Sequence, residues 1–514
     1  SHSETDLQVG DRANDAIRVS ADELNVRVVG EGANLGVTQA GRIEFARNGG
    51  RINTDAVDNS AGVDSSDHEV NIKILLRNAI DSGALKSEDR NDLLASMTDE
   101  VAQKVLVHNY DQTGALSVAL ASAADDLDSH ERMMERLESA GLLNRSVEGL
   151  PKPEDVRALH ETHQGLTRPE LSVLLAYAKI TLFDELVASN VPDDPYLTEQ
   201  FRNYFPDPLR EFDDAMQDHR LKREIIATQL ANDVINLGGI TFVHRVKERA
   251  GVETEEIVRA FTAALAIFSL KPLLKRIDQL DNLVPTDVQI RLRVDLINAM
   301  RRLVFWLART RSLDGKIETL VSTYKDGVTE LITAGKDTLS PYECDLLNSR
   351  DAEYRDLGAP SEVSDKVATV LSMTTATDIV DLAHRTNRDV KQMATLFNAI
   401  GTAFGYDRLR HTALNLDLDQ HWDRLAVRGL VESLLSQQIV LAERISANSE
   451  LSEWSNFDSA KSRVDEFVSI HADIHDRLQI NLAELDQSGA WTFAKLVLYQ
   501  NAMRSFIEET EVKA

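Results

Sequence analysis

Residues 28–66 read VVGEGANLGVTQAGRIEFARNGGRINTDAVDNSAGVDSS. Small residues and glycines fill the turns between two strand-like runs and one helix-like run. The first run, 24–29 (LNVRVV), is β-branched and ends at Gly30, with Gly32 and Gly36 following. Residues 38–48 (TQAGRIEFARN) then carry a helix pattern, with Thr38 as its N-cap and Gly49-Gly50 closing it. The second run, 51–57 (RINTDAV), predicts another strand. A new helix is expected from Ser65 or Ser66, with Asp67 and Glu69 in its first turn and Val70, Ile72, Ile74, Leu75 and Leu76 behind them. Strand, Gly-rich turn, helix, strand and polar turn is the order of a parallel α/β sheet with a ligand crevice at its carboxyl edge. All of it lies within the first 70 residues, so these positions supply the edge of such a sheet and not the whole.

The chain has 514 residues, 84 acidic against 56 basic, and a formal net charge of -28. Phosphate backbones and anionic membranes need clustered Lys and Arg, so neither nucleic acid nor membrane is expected as a partner. The balance fits a soluble cytoplasmic protein. A single cysteine, Cys344, excludes an intrachain disulfide and a Cys-based zinc site. No apolar run is expected to reach the ~20 residues of a membrane helix, and no signal peptide opens the chain. Ser1-His2 has the look of a cleaved tag remnant and is set aside.

After about residue 80 glycine becomes sparse and Leu, Ala, Glu, Asp and Arg dominate. Leu221, Ile225, Ile226, Leu230, Val234 and Ile235 form one helical stripe. Residues 290–307 predict a mostly buried helix. Breaks fall at Gly149–Pro153, Pro192–Pro195, Pro206–Pro208, Ser340-Pro341 and Gly358–Pro360. The fold expected is mainly α, the C-terminal edge of an α/β Rossmann domain followed by a large all-helical region. Its parts are 1–80 (the Rossmann end), 81–150 (a helical connector), 151–345 (a helical domain) and 346–514 (a C-terminal helical domain).

Gly30-x-Gly32-x-x-x-Gly36 approaches a dinucleotide fingerprint, one residue too long, with Asp55 as candidate ribose acid. The rival reading is a tight strand-to-helix turn that needs positive φ. Asn59-Ser60-Ala61-Gly62-Val63 places an amide at a strand's carboxyl end, or else forms an Asx-turn. His160/His163 and His471/His475 have metal-compatible spacing but no third ligand, and read as surface-helix histidines. Arg291, Arg293, Arg301, Arg302, Arg309 and Arg311 are expected to pair with carboxylates, with an anion site as the rival. Trp306, Trp422, Trp454 and Trp491 read as core anchors.

Glu31-Gly32-Ala33-Asn34 and the stretch from Asn59 to Ser66 resemble the late Rossmann segment of glutamate dehydrogenases, where an E-G-A-N turn and a helix precede N-A-G-G-V-x-x-S. The remainder is similar to the large NAD-specific class. Its supporting stretches are NIKILL (71–76), LTRPELSVLLAYAKI (166–180), NYFPDPL (203–209) and HRLKREIIATQLANDVINLGGITFV (219–243). The resemblance implies NAD as cofactor, with Gly30, Glu31, Gly32, Ala33, Asn34 and Asn59 on the cofactor side. It implies Val63 and Ser66 at the glutamate pocket, and no metal. Departures are Leu35-Gly36-Val37-Thr38 in place of Pro-Thr, Ala61 for a Gly, and Asp67-His68-Glu69 for an aromatic pair and Glu.

The family's catalytic Lys and Asp belong to its substrate domain, so the resemblance makes this chain the C-terminal part of a larger enzyme. That enzyme converts L-glutamate to 2-oxoglutarate and ammonia. The chain's expected partners are the preceding part of the same polypeptide and further copies in a homo-oligomer. Two rival readings are a non-catalytic helical interaction module and a self-contained dehydrogenase using the Gly30–Gly36 turn. The second has too few strands.

Overall fold

A computed structural model describes residues 1–32, 36–310, 315–418 and 421–511, the His421 side chain excepted. The chain divides into two compact units, one of residues 1–263 with 300–319 and one of residues 264–299 with 320–514. The fold is mainly α.

In the first unit, the expected strands are reduced to one isolated parallel bridge between Val28 and Arg51. The Val29 amide donates to the Arg51 carbonyl at 2.9 Å, and the Arg51 amide donates to the Arg27 carbonyl at 2.9 Å. Among the described residues no ladder extends the bridge, since two parallel strands with no sheet neighbours bury too little to propagate. Between them runs α1 (Gln39–Arg47), whose N-cap Thr38 accepts from the Gly41 amide at 3.1 Å, as its sequence predicts. The link after α1 needs its glycines. Gly49 has a φ of +88°, and a Cβ on Gly50 would lie 2.2 Å from the Phe45 ring. Phe45, Ala21 and Ile52 form a small core under the bridge, joined by Leu24, Val29 and Val37.

The second run also departs from expectation. Asp55–Asp58 is a single helical turn, and a helix begins at Ser60, not Ser65. The Asn109 side chain donates to the Val57 carbonyl at 2.9 Å and to the Ser60 hydroxyl at 2.8 Å. The end of one helical segment and the start of the next thereby share one partner, and the helix starts early. This helix is α2 (Ser60–Asp81). It packs on α3 (Thr98–Ala121), which meets α4 (Arg168–Ala188). Thr167 and Glu170 close a capping box at the start of α4, with Pro169 in its first turn. Leu171, Leu174, Leu175, Ala178, Leu182 and Leu186 then follow at helical spacing and are all buried. Each large side chain contributes about 1.5–3 kcal/mol by leaving water. α4 packs on α1, α3 and α5 (Lys222–Gly238), and of the expected stripe from Leu221 to Ile235 all but Leu221, half-buried at the N-cap, is buried.

In the second unit, α6 (Val390–Phe404) is buried on every face from Met393 to Gly401, as a helix at the centre of a bundle must be. Around it pack α7 (Tyr406–Leu414), α8 (His421–Ala447) and α9 (Phe457–Ile470). Within α8, Trp422–Ala447 is long and apolar enough to cross a membrane by composition, where none was expected. It also carries the buried Gln438, whose amide donates to the Phe397 carbonyl at 2.7 Å and so joins α8 to the core helix. Trp454 is buried as expected, but Trp422 is 73% exposed and anchors no core.

Arg463 on α9 is fully buried. Its guanidinium donates to the carbonyls of Ile445, Ser446, Asn448, Leu451 and Ser452 at 2.6–3.3 Å, and lies 4.6 Å from the Trp454 ring centroid. One side chain therefore satisfies the carbonyls left unpaired at the end of α8. Arg463→Met should cost about 3 kcal/mol or more, because it strands several buried acceptors at once. Urea unfolding of the chain, followed by tryptophan fluorescence, measures it. An unchanged midpoint would contradict this role.

Candidate functional site

The Val28–Arg51 bridge is parallel, so the segments that follow its two partners leave on the same side. Gly30–Gly32 follows the first partner and Thr54–Asn59 the second. The Glu31 amide donates to Asp58 Oδ2 at 3.0 Å and joins these turns directly. Asn53 Nδ2 donates to the other Asp58 oxygen at 2.6 Å. The Glu31 carboxylate is 5% exposed as a residue and accepts from Arg42 Nε at 2.6 Å and from the Val37 amide at 3.0 Å. Arg42 also lies 3.2 Å from Asp55 and donates to Gln39 at 3.3 Å. Glu31 therefore ties Asp58 to Val37 and to Arg42 of α1.

Gly30 and Gly32 have no positive φ, and among the described residues a Cβ on either would meet no atom within 4 Å. Neither turn sterics nor positive φ accounts for glycine there, and the space beside this backbone is open to a ligand. Ala33 and Asn34 lie outside the described residues. Asn59, Val63 and Ser66 stand at i, i+4 and i+7, on one face of the helical run; Val63 is 66% exposed and Ser66 is exposed. Glu31, Asp55 and Asp58 are all engaged, so the edge offers chiefly backbone amides and the Ser66 hydroxyl. These are groups for binding.

Beside this face lies a cluster that sequence spacing gives only in part. Asp64 accepts from His108 of α3 at 2.7 Å and is 3.2 Å from His68. His68 is fully buried and stacks on Tyr204 with ring centroids 4.4 Å apart. Asn71 donates to the Tyr204 hydroxyl at 2.8 Å, and its carbonyl is 3.0 Å from His219 Nε2. Burial alone pushes the Asp64 carboxyl up, but the bonds to His108 and His68 outweigh it and hold it well below the usual carboxylate range. Burial, with the Asp64 charge, raises Asp67. The i, i+4 spacing of Asp64 and His68 is a signal that the sequence reading did not single out. His108 and Tyr204 arrive from other elements.

Among the described residues no group of three His, Cys, Asp or Glu side chains is arranged to hold a metal. His160 and His163 are exposed, as expected, and His160 pairs with Asp128 at 2.6 Å. His471 and His475 are not surface groups. His471 is 4% exposed and His475 packs edge-on to Phe404. Arg291 pairs with Asp295 at 2.8 Å, and Arg293 pairs with Asp278, as the charge pattern predicts. Arg311 lies outside the described residues.

Two family models match the chain. "Bacterial NAD-glutamate dehydrogenase, catalytic domain" covers residues 1–119, and "Glutamate dehydrogenase, C-terminal" covers residues 163–505. Proteins named NAD-specific glutamate dehydrogenase are similar along almost the whole chain. One from Halomonas elongata is 37% identical over 512 residues, 99% of this chain and 31% of that protein. One from Pseudomonas aeruginosa is 37% identical over 509 residues, again 99% and 31%. One from Mycobacterium tuberculosis is 36% identical over 468 residues, 89% and 29%. The chain thus spans less than a third of the length of the curated relatives it matches.

The Asp64 cluster has a pH signature. Its folded carboxyl titrates below its unfolded value of ~3.9, so the unfolded chain binds more protons as acid is added. The stabilisation is present at neutral pH and disappears as pH falls through the folded value. Asp64→Asn should lower stability near pH ~7 and flatten the acid limb below pH ~4. Urea melts of both chains across that range measure it. Parallel acid limbs would contradict the coupling.

Proposed function

The chain belongs to the large NAD-specific glutamate dehydrogenase family, and from that premise we propose that it forms part of an enzyme that oxidatively deaminates L-glutamate to 2-oxoglutarate and ammonia with NAD. The observation that carries the reading is the pairing of the Gly30–Gly32 and Thr54–Asn59 turns at one edge by the bridge and the Glu31–Asp58 bond. In a Rossmann sheet, ligands bind at the carboxyl edge of parallel strands. The bridge is proposed as the margin of such a sheet, with its other strands supplied from outside these residues.

The open glycine backbone fits a dinucleotide, which needs close main-chain approach to its phosphates. Gly30, Gly32, Ala33 and Asn34 would line it, and Asn59 would face its nicotinamide end. When bound, NAD accepts the hydride lost from glutamate. Val63 and Ser66 would wall the amino-acid pocket, with the Ser66 hydroxyl donating to a substrate carboxylate. Exposure of both on one helical face supports that assignment. The proton-transferring Lys and Asp are proposed to come from the substrate domain of the same enzyme. The helical remainder is proposed to serve subunit assembly or regulation in a cytoplasmic homo-oligomer.

Three outcomes test this reading. The 514-residue chain alone should form no NADH from glutamate above a blank. In the intact enzyme, Ser66→Ala should cost about 1.5–3 kcal/mol in kcat/KM for glutamate, the range for a charge-assisted bond, and leave KM for NAD nearly unchanged. Asn34→Ala should do the reverse. Steady-state kinetics decide, and a Ser66→Ala enzyme indistinguishable from wild type would remove the pocket assignment.

A further inference from the structure

The start of α4 reaches the cofactor-side edge at three points. Arg168 Nε donates to Asn53 Oδ1, the neighbouring Pro169 carbonyl accepts from Gln39 at 3.3 Å, and Glu170 lies 3.8 Å from Arg47. The Arg168 fork also donates to the Ser117 hydroxyl and the Thr113 carbonyl of α3, both at 2.9 Å. Asn53 passes the contact on to Asp58 Oδ1, and Asp58 Oδ2 holds the Glu31 amide. Glu31 in turn holds Val37 and Arg42. Every bond in this line joins a donor to a matching acceptor, and it runs unbroken from two core helices to both turns.

We propose that Arg168 is a positioning residue for dinucleotide binding, acting through Asn53, Asp58 and Glu31 to set the spacing of the two carboxyl-edge turns. The proposal rests on the functional reading above and gives the helical region a role in the chemistry of the edge. Glu31 then serves the cofactor by shaping its turn, since its carboxylate is occupied by Arg42 and Val37. Arg168 is suited to the task because a planar fork satisfies three acceptors on two segments at once, Asn53 at the edge and Thr113 and Ser117 on α3. A lysine in its place would supply one point charge and lose the geometry.

A purely structural role would stop at the α3–α4 packing, and Asn53→Ala separates the two. It keeps Arg168 on Ser117 and Thr113 and cuts the line beyond. Hydrogen exchange of the 514-residue chain should show faster exchange in residues 29–32, 36–38 and 53–60 for both Arg168→Met and Asn53→Ala. In the intact enzyme each should raise KM for NAD at least fivefold with kcat within twofold. The double variant should be no worse than the worse single, since both cut one line. Exchange changes confined to α3 and α4, or independent effects that multiply in the double variant, would overturn the proposal. A wild-type enzyme without NAD-dependent glutamate oxidation would instead overturn the functional reading. The exchange result, which needs no cofactor, would still decide the relay.

Discussion

The carboxylate of Asp58 fixes the edge on which the functional account stands. One oxygen holds the Glu31 amide and the other holds Asn53. A lone parallel bridge supplies two backbone bonds, each worth only about 1 kcal/mol net. That is too little to hold two glycine-bearing turns in register. The work falls to side chains, and they must be charged ones to act at this density. Glu31 and Arg42 are buried nearly completely, so each would be costly alone. Together, with the Val37 amide and Asp55 taking up further capacity, their burial is compensated. The turns are joined through Asp58 and are open where Gly30 and Gly32 face outward.

The same logic of central support recurs in each unit. In the first, α4 is the member that α1, α3 and α5 share, and its capped start lies under the edge. In the second, α6 is buried on every face from Met393 to Gly401, and Arg463 closes the end of α8 by taking five backbone carbonyls. Both devices convert a helix terminus, ordinarily a weak point, into a fixed one. A buried guanidinium suits this because it carries five donors and no acceptor to satisfy.

Local patterns were legible in the sequence. The stripe from Leu221 to Ile235, the Thr38 cap and the Ser340-Pro341 break each depend on residues within a few turns. Features set by distant partners were not. The two β-branched runs carry the composition of strands but form one bridge, because parallel pairing draws its stability from neighbours far along the chain. Ser60 begins α2 early because Asn109 holds the junction. His471 is buried and Trp422 exposed for reasons of packing that spacing does not encode. At the candidate site, Asn59, Val63 and Ser66 share one face because the helix begins at Ser60 and not at Ser65, and His108, Tyr204 and Arg168 enter from elsewhere.

The central claim is that the paired turns form one wall of a dinucleotide crevice. A cryo-EM map of the intact enzyme with NADH and 2-oxoglutarate tests it most directly. The account predicts the cofactor against the main chain of Gly30–Gly32, its nicotinamide end near Asn59, and Ser66 beside a substrate carboxylate. A cofactor bound elsewhere, with both turns packed against protein and touching no ligand, would contradict it.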